Sequence, residues 1–413
     1  MKTYGLKSII DIDSSSERFG QILLRPEQPE GLNPYRCIGC NSCSSVCPAS
    51  GILGMDPQKF IRLIILGQEK VVLNSKWLWL CALCHNCVNA CPLNINIPLI
   101  IDRARRLQPH NALPKYLRAA VEINNITGNN LGKTPSWFMT VVQMAQKKLN
   151  NSPGFEQVTI PIDKKGAGTI LFLNMQLLEL NPYILHSYTK IFHAAREDWT
   201  LSSFAIDTSC PAFLAGDKMG EQLWRDRIVT ICKDLGIHTC IIDDCANPLS
   251  SFGAGNNIPT VDELPFKVLN SAELIFKYLE QGRLNLRPSI LRSTVTFHDP
   301  CNVSSPQELF EFPRTLLEFF ATDFVELGRT KRDSICCGGT VLAAGNEDAL
   351  EFGRWKAEQI SQSAADLVVV CCQSCYIQIQ KLARYYKLPY KSALLTEIVA
   401  NGLKIDPIPP NTK

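Results

Sequence analysis

Apolar and polar positions follow three rhythms along the chain. Between 56 and 67, Phe60, Leu63 and Ile64 recur at helical spacing, with Asp56 as cap, Pro57 in the first turn and Gly67 as stop. A second helix is predicted from Pro98 through Ile101 and Ala104 to Leu107. Residues 1–30 are polar without clear periodicity and read as an arm or partner-contact segment. From 109 to 165 helical stretches are interrupted by Asn129-Asn130 and Ser152-Pro153-Gly154, the text of a connecting region. After 165 short apolar runs alternate with helical stretches. The candidate strands are Thr169–Leu173, Phe204–Asp207, Thr239–Ile242, Thr294–Phe297, Phe324–Leu327 and Leu367–Val370. Such alternation predicts α/β units with largely buried sheets.

The length of 413 residues exceeds one compact core, so two or three domains are expected. Lysine and arginine number 42 against 39 acidic residues, a balance that favours neither a nucleic-acid binder nor an acidic tail. No apolar stretch of signal-peptide type opens at Met1. The most apolar run, Phe60 to Leu66, contains Arg62 and falls far short of the ~20 residues of a membrane span. A cytoplasmic protein is expected, with any membrane contact made through a partner. The basic text from Arg103 to Arg106, followed by Lys115 and Arg118, reads as a solvated helix face, with docking to an acidic partner as the other reading.

Cysteine changes the picture. There are 18, clustered at two- and three-residue spacings that fit metal coordination better than a spread disulfide framework. Cys37, Cys40, Cys43 and Cys47 precede Pro48; Cys81, Cys84, Cys87 and Cys91 precede Pro92. Both runs read C-x2-C-x2-C-x3-C-P, the text of bacterial two-cluster ferredoxins. A tight loop lets three thiolates converge on one 4Fe–4S cubane while the fourth points to the other cluster. By that rule Cys37, Cys40, Cys43 and Cys91 hold one cluster, and Cys81, Cys84, Cys87 and Cys47 the second. Zinc sites commonly use two separated pairs and do not call for this text twice. His85, inside the second quartet, is expected beside the ligands or at the surface rather than among them.

A second constellation lies near the C-terminus. Cys301 is followed by Cys336-Cys337 and then by Cys372 and Cys375, at offsets of 35, 35 and 3. The same offsets laid on the preceding domain select Asn174, Ser209-Cys210, Cys245 and Pro248, and strand text precedes the matching positions. This reads as an internal duplication whose first copy has lost three of five thiols. The five thiols of the second copy, at the carboxyl ends of strands, would form one cluster site, with zinc on four of them as the alternative. Gly338-Gly339 would let backbone N–H groups approach sulfur. Cys210 and Cys245 read as buried small residues, Cys232 and Cys240 carry no spacing signal, and Cys371 is expected to face away from the site.

The pattern Cys301, Cys336-Cys337-Gly338-Gly339, Cys372-Gln373-Ser374-Cys375 resembles the cysteine-rich CCG domain of heterodisulfide reductases and related respiratory iron–sulfur subunits. The stretch from Met55 through Leu66-Gly67 to Trp79-Leu80-Cys81 is similar to their small ferredoxin subunit. The resemblance covers roughly 31–400 and implies an α+β multidomain fold: a helical two-cluster ferredoxin domain (31–108), a helical connector (109–165), a degenerate α/β CCG repeat (166–285) and a complete one (286–413). It also implies a non-cubane 4Fe–4S cluster on Cys301, Cys336, Cys337, Cys372 and Cys375, at which a disulfide is cleaved. Asn174, Ser209 and Pro248 depart from the pattern and argue against a second such cluster. A single active site is similar to the membrane complex linked to dissimilatory sulfite reductase, which implies a sulfur-carrying protein as substrate.

The function expected is an iron–sulfur subunit of an oxidoreductase complex, relaying electrons through two 4Fe–4S clusters to the CCG site, where a disulfide or related sulfur bond is reduced. His298, just before Asp299-Pro300-Cys301, is a candidate proton donor, with a structural histidine as the other reading. The alternative is an electron-transfer subunit of a flavin dehydrogenase of the glycerol-3-phosphate or glycolate type, passing electrons towards quinone without substrate chemistry. Gly253-Ala254-Gly255 lacks the third glycine of a dinucleotide fingerprint, so flavin or nicotinamide is expected on partners: a flavoprotein, a membrane cytochrome b-type subunit, or both.

Overall fold

A computed structural model describes residues 33–242, 264–300 and 307–404. The N-terminal arm, Cys245, Pro248, Gly253–Gly255 and Cys301 lie outside the described residues.

The cysteine-rich segment folds as short helices around two loops. Pro57–Ile65 is helical as its text requires: the Asp56 carboxylate accepts from the Lys59 N–H at 2.9 Å, and Phe60, Ile61 and Ile64 are buried. Ile97–Arg106 forms the second expected helix, capped by Asn96. These helices share a core with Trp77, Leu78 and Leu80, and Trp77 donates from its indole to Ala49 O at 3.1 Å. In the connecting stretch, the helix Lys115–Thr127 gives Leu117 and Val121 to that core. The next helix, Pro135–Asn150, turns Phe138, Val142 and Leu149 to the α/β core instead.

Two four-stranded parallel sheets follow. In the first, β1 (Thr169–Phe172), β2 (Trp199–Thr200), β3 (Thr239–Ile242) and β4 (Lys267–Leu269) lie in the order β2-β1-β3-β4. In the second, β5 (Leu291–His298), β6 (Ala321–Phe324), β7 (Leu367–Val370) and β8 (Lys391–Leu394) lie in the order β6-β5-β7-β8. Successive residues of β1 point to opposite layers. Ile170 and Phe172 pack with Trp224 and Ile228, whereas Leu171 faces a core shared with the second sheet. That shared core runs from Phe138 to Leu403 and fuses the two α/β domains.

Two expected strands are corrected. Phe204–Asp207 is not a strand beyond an isolated Leu173–Asp207 bridge; Phe204 is exposed, and the pairing with β1 is made by Trp199–Thr200. Phe324–Leu327 is displaced towards the N-terminus, because β6 begins directly after the helix Gln307–Phe320. The edge strands β4 and β8 were not expected, being short and partly polar. Among the described residues no helix is long and apolar enough to cross a membrane.

Candidate metal centres

Both cysteine loops have the same backbone. In the first, Gly39 and Asn41 flank Cys40 at φ of 72° and 65°; in the second, Leu83 and His85 flank Cys84 at 54° and 61°. These left-handed residues curl each loop so that its sulfurs converge, and a leucine tolerates that geometry only where the surroundings impose it. Backbone N–H groups point at sulfur: Leu83 N lies 3.4 Å from Cys81 Sγ and Ile95 N 3.4 Å from Cys91 Sγ. Behind the first loop the buried Ser44 hydroxyl donates to Asp56 at 2.6 Å and accepts from Gln58 N at 3.1 Å, tying the loop to the following helix.

The sulfurs surround two cavities. One is lined by Cys37, Cys40, Cys43 and Cys91 against Ile61, Ile95 and Ile97. The other is lined by Cys47, Cys81, Cys84 and Cys87 against Trp77, Ile97, Ile101 and Phe352. Each measures about 380 Å³ with its mouth included. The fourth cysteine of each run thus lies with the first three of the other. Burial pushes the Cys43 and Cys81 thiols up to about 11, and the Cys47 and Cys87 thiols well above their usual value, with the neighbouring sulfur charges adding to the rise at Cys47 and Cys87. Four such thiolates need a cationic group between them. A ring of four sulfurs in an apolar wall, with N–H groups aimed at sulfur, fits a 4Fe–4S cluster by the chemistry of its donors. His85 lines the second cavity, and burial lowers its pKa to about 4, so it stands there as a neutral imidazole.

The third group sits at the carboxyl ends of β5 and β7. Cys336, Cys337, Cys372 and Cys375 are between 1 and 4% exposed. Cys337 Sγ lies 3.3 Å from Cys375 Sγ and accepts from Gly339 N at 3.3 Å; Cys372 Sγ, at the start of the helix Gln373–Tyr385, accepts from Cys375 N at 3.5 Å. The ring of His298, at the end of β5, has a nitrogen within 4.8 Å of the Cys337 and Cys375 sulfurs. Hydrogen bonds from Cys336 and Cys375 hold Cys337 well below the usual thiol range, with His298 adding to the effect, so the thiolate charge gathers there. Cys371 is only half-buried.

The vicinal pair straddles two cores. Cys336 packs in the core of the ferredoxin loops, Cys337 in that of the α/β domains. The Cys336 thiol lies within hydrogen-bond reach of both Cys84 and Cys337, and its single proton, shared between them, holds both below their ordinary value. Sulfur therefore follows sulfur from the second quartet into the third group. The junction is fixed by Asn86, whose amide donates to Ser334 O at 2.8 Å, and by Ser334, whose hydroxyl donates to Asp299 O at 3.0 Å.

Several members of these sites had no cysteine spacing to announce them. Lys356 is fully buried; burial lowers it to about 8 against the pull of Cys337, Asp299, Cys336 and Cys375. Asp299 itself is held by a two-pronged pair with Arg314, at 2.9 and 2.7 Å. Arg105 corrects the expectation of a solvated basic face: it is buried, while Arg106 beside it is exposed. The signal was present in helical spacing. Arg105 continues the buried stripe Ile97–Ile101, and Lys356 falls between Phe352 and Ile360 on another. In the first α/β domain Cys210 is buried and its thiol pushed up by burial, and Cys232 and Cys240 are buried and hydrogen-bonded to each other.

Residues 34–95 match the 4Fe-4S dicluster domain, and residues 295–380 the cysteine-rich domain named CCG. The chain is an iron–sulfur protein that joins these two domains. Its homologues are heterodisulfide reductase subunits and similar iron–sulfur proteins. It is 30% identical over 148 residues to a subunit of the dihydromethanophenazine:CoB–CoM heterodisulfide reductase of Methanosarcina mazei, covering 35% of this chain and 36% of that one. It is 23% identical over 373 residues to the Hdr-like menaquinol oxidoreductase iron–sulfur subunit 2 of Archaeoglobus fulgidus, covering 78% and 66%. With a probable membrane-anchored ferredoxin of Chromohalobacter salexigens it shares 24% over 387 residues, 83% of this chain. The chain spans 56% of that ferredoxin's length.

Proposed function

We propose that this chain is the iron–sulfur subunit of a heterodisulfide-reductase-like complex that reduces a disulfide or a related sulfur bond. Cys37, Cys40, Cys43 and Cys91 hold one cubane, Cys81, Cys84, Cys87 and Cys47 the other. Cys301, Cys336, Cys337, Cys372 and Cys375 hold a non-cubane 4Fe–4S cluster. Bound there, the clusters supply one-electron storage and a sulfur-binding centre that lets a two-electron scission proceed one electron at a time. The observation that carries the reading is the Cys84–Cys336–Cys337 row, which joins the second quartet to the third group. A relay needs that adjacency; two unrelated metal sites do not.

The chain's own residues do the rest. Disulfide reduction takes two electrons and two protons and gives two thiols. His298 and Lys356 are the buried nitrogens placed to hand protons to the sulfurs, and the burial of all four described cysteines keeps water from the centre. The electrons come from a partner, a flavoprotein or a membrane cytochrome b-type subunit. The equal offsets of 35, 35 and 3 residues and the matching strand orders support a duplicated α/β unit, its first copy stripped of three thiols.

One observation favours a second reading: His298, Cys337 and Cys375 also form a donor set of zinc type. Metal and sulfide analysis of anaerobically purified protein separates the two. The relay requires about 12 irons, and zinc at the third group about 8 with one zinc. EPR spectra of oxidised protein frozen with a series of thiols then test the chemistry. A third-cluster signal that shifts with one thiol is expected; one indifferent to every thiol overturns the reductase.

A further inference from the structure

The Arg105 guanidinium is buried among neutral carbonyls. Its Nε and Nη2 donate to Leu78 O at 3.1 and 2.9 Å, Nη2 also to Cys81 O at 2.7 Å, and Nη1 to Leu214 O at 3.2 Å. The Trp79 ring covers it at 5.4 Å. Asp102, one turn back, pairs with Arg106, and among the described residues no carboxylate lies within ion-pair reach of Arg105. A buried cation without a paired anion is costly, and arginine, unlike lysine, does not escape by losing its proton. The attraction between Arg105 and the Cys81 sulfur acts on both groups.

The two cavities differ in what offsets their charge. The first opens beside exposed Cys40 and Ile38, where water is at hand. The second is walled by Trp77, Ile101 and Phe352 and abuts the Cys336 loop. Adding an electron to a buried anionic centre is opposed by desolvation, which lowers its reduction potential. We propose that Arg105 counters this at the second quartet: a fixed charge on the Cys81 carbonyl that raises the potential of the cluster held by Cys81, Cys84, Cys87 and Cys47, and leaves the first cluster alone. The assignment rests on those thiolates being cluster ligands. Arg105 is a positioning and electrostatic residue that does not touch the substrate. Its bond to Leu214, in the helix Pro211–Ala215 of the first α/β domain, makes the same side chain a fastening between domains.

The test is a redox titration of the full-length, anaerobically purified protein followed by EPR, with the two cubane signals assigned through Cys40→Ser and Cys84→Ser. At a fixed ambient potential, Arg105→Gln is expected to lower the reduced-to-oxidised ratio of the second cluster about tenfold, about 59 mV for a one-electron couple. The first cluster stays within error, and Arg105→Lys restores most of the shift. Asp102→Asn removes a buried carboxylate that acts on Arg105 and moves the second cluster the other way, which reads the same field if the glutamine variant does not fold. Unmoved second-cluster potentials in Arg105→Gln, or in Asp102→Asn where the former is not obtained, overturn the proposal, as does an equal shift of both clusters. Absence of both cubane signals from the unsubstituted protein overturns the ligand reading instead.

Discussion

In the second α/β domain the carboxyl ends of β5 and β7 present buried thiols, an imidazole and a lysine. In the first, the ends of β1 and β3 present Asn174, Asp207, Ser209 and Cys210. In the first set Asn174 accepts from Leu177 N at 3.0 Å and Asp207 Oδ1 from Ser209 N at 2.8 Å. In the second, Cys337 accepts from Gly339 N at 3.3 Å and Cys372 from Cys375 N at 3.5 Å, and the imidazole is the group that stands apart. No nitrogen or oxygen partner meets either ring nitrogen of His298 among the described residues, and its near neighbours are sulfurs. Laid on the proposed duplication, His298 stands opposite Leu171 and Lys356 opposite Val229. The second α/β unit thus differs in its buried nitrogen groups, an imidazole that burial keeps towards the neutral form and a lysine, as well as in its thiols. Thiolates packed in a core need donors and positive charge around them, and a domain without that thiol set has no use for costly buried nitrogen.

The comparison breaks most visibly at equivalent cysteines. Cys337→Ser is expected to lose about 4 of about 12 irons together with the third EPR signal, whereas Cys210→Ser keeps them all. Iron lost from the Cys210 variant would mean that the first copy also binds metal.

Next in size is the buried ion pair. Arg314→Leu leaves the Asp299 carboxylate, 2% exposed, without its partner and is expected to cost about 3–5 kcal/mol, measured by denaturant unfolding of the metal-loaded protein. The first copy has Phe172 and Ser187 at the corresponding positions and no such dependence. Asp299→Asn combined with Arg314→Leu should recover much of the loss. A cost below about 1 kcal/mol for Arg314→Leu would show the pair to be dispensable.

The smallest expected effect sharpens the comparison furthest. Asn174→Cys, Ser209→Cys and Pro248→Cys together restore five thiols to the first copy. Iron should not rise, because Val229 supplies no positive charge where Lys356 stands and Leu171 no nitrogen where His298 stands. A rise to about 16 irons would show that thiols suffice and that His298 and Lys356 are not needed for loading.

Much of this was legible in one dimension. The C-x2-C-x2-C-x3-C-P runs, read by the rule of two-cluster ferredoxins, pointed to two sulfur quartets that exchange their fourth members, and the two cavities are lined in that way. Asp56-Pro57 and Gly67 determined a helix, since caps act within a few residues. The alternation of short apolar runs with helical text after residue 165 pointed to α/β units, and two parallel sheets are there. The edge strands β2, β4 and β8 were not legible: β2 is two residues long, and its partner is chosen across the sheet. Nor was the burial of Arg105 and Lys356, although helical spacing placed both on apolar stripes. A charge in such a stripe is buried only when another domain closes over it, and that is a tertiary event. The same is true of the junction itself. The sequence specified thirteen cysteines in two constellations; only the packing of Cys336 against Cys84, with Asn86 holding the Ser334 carbonyl, brings the two into one row.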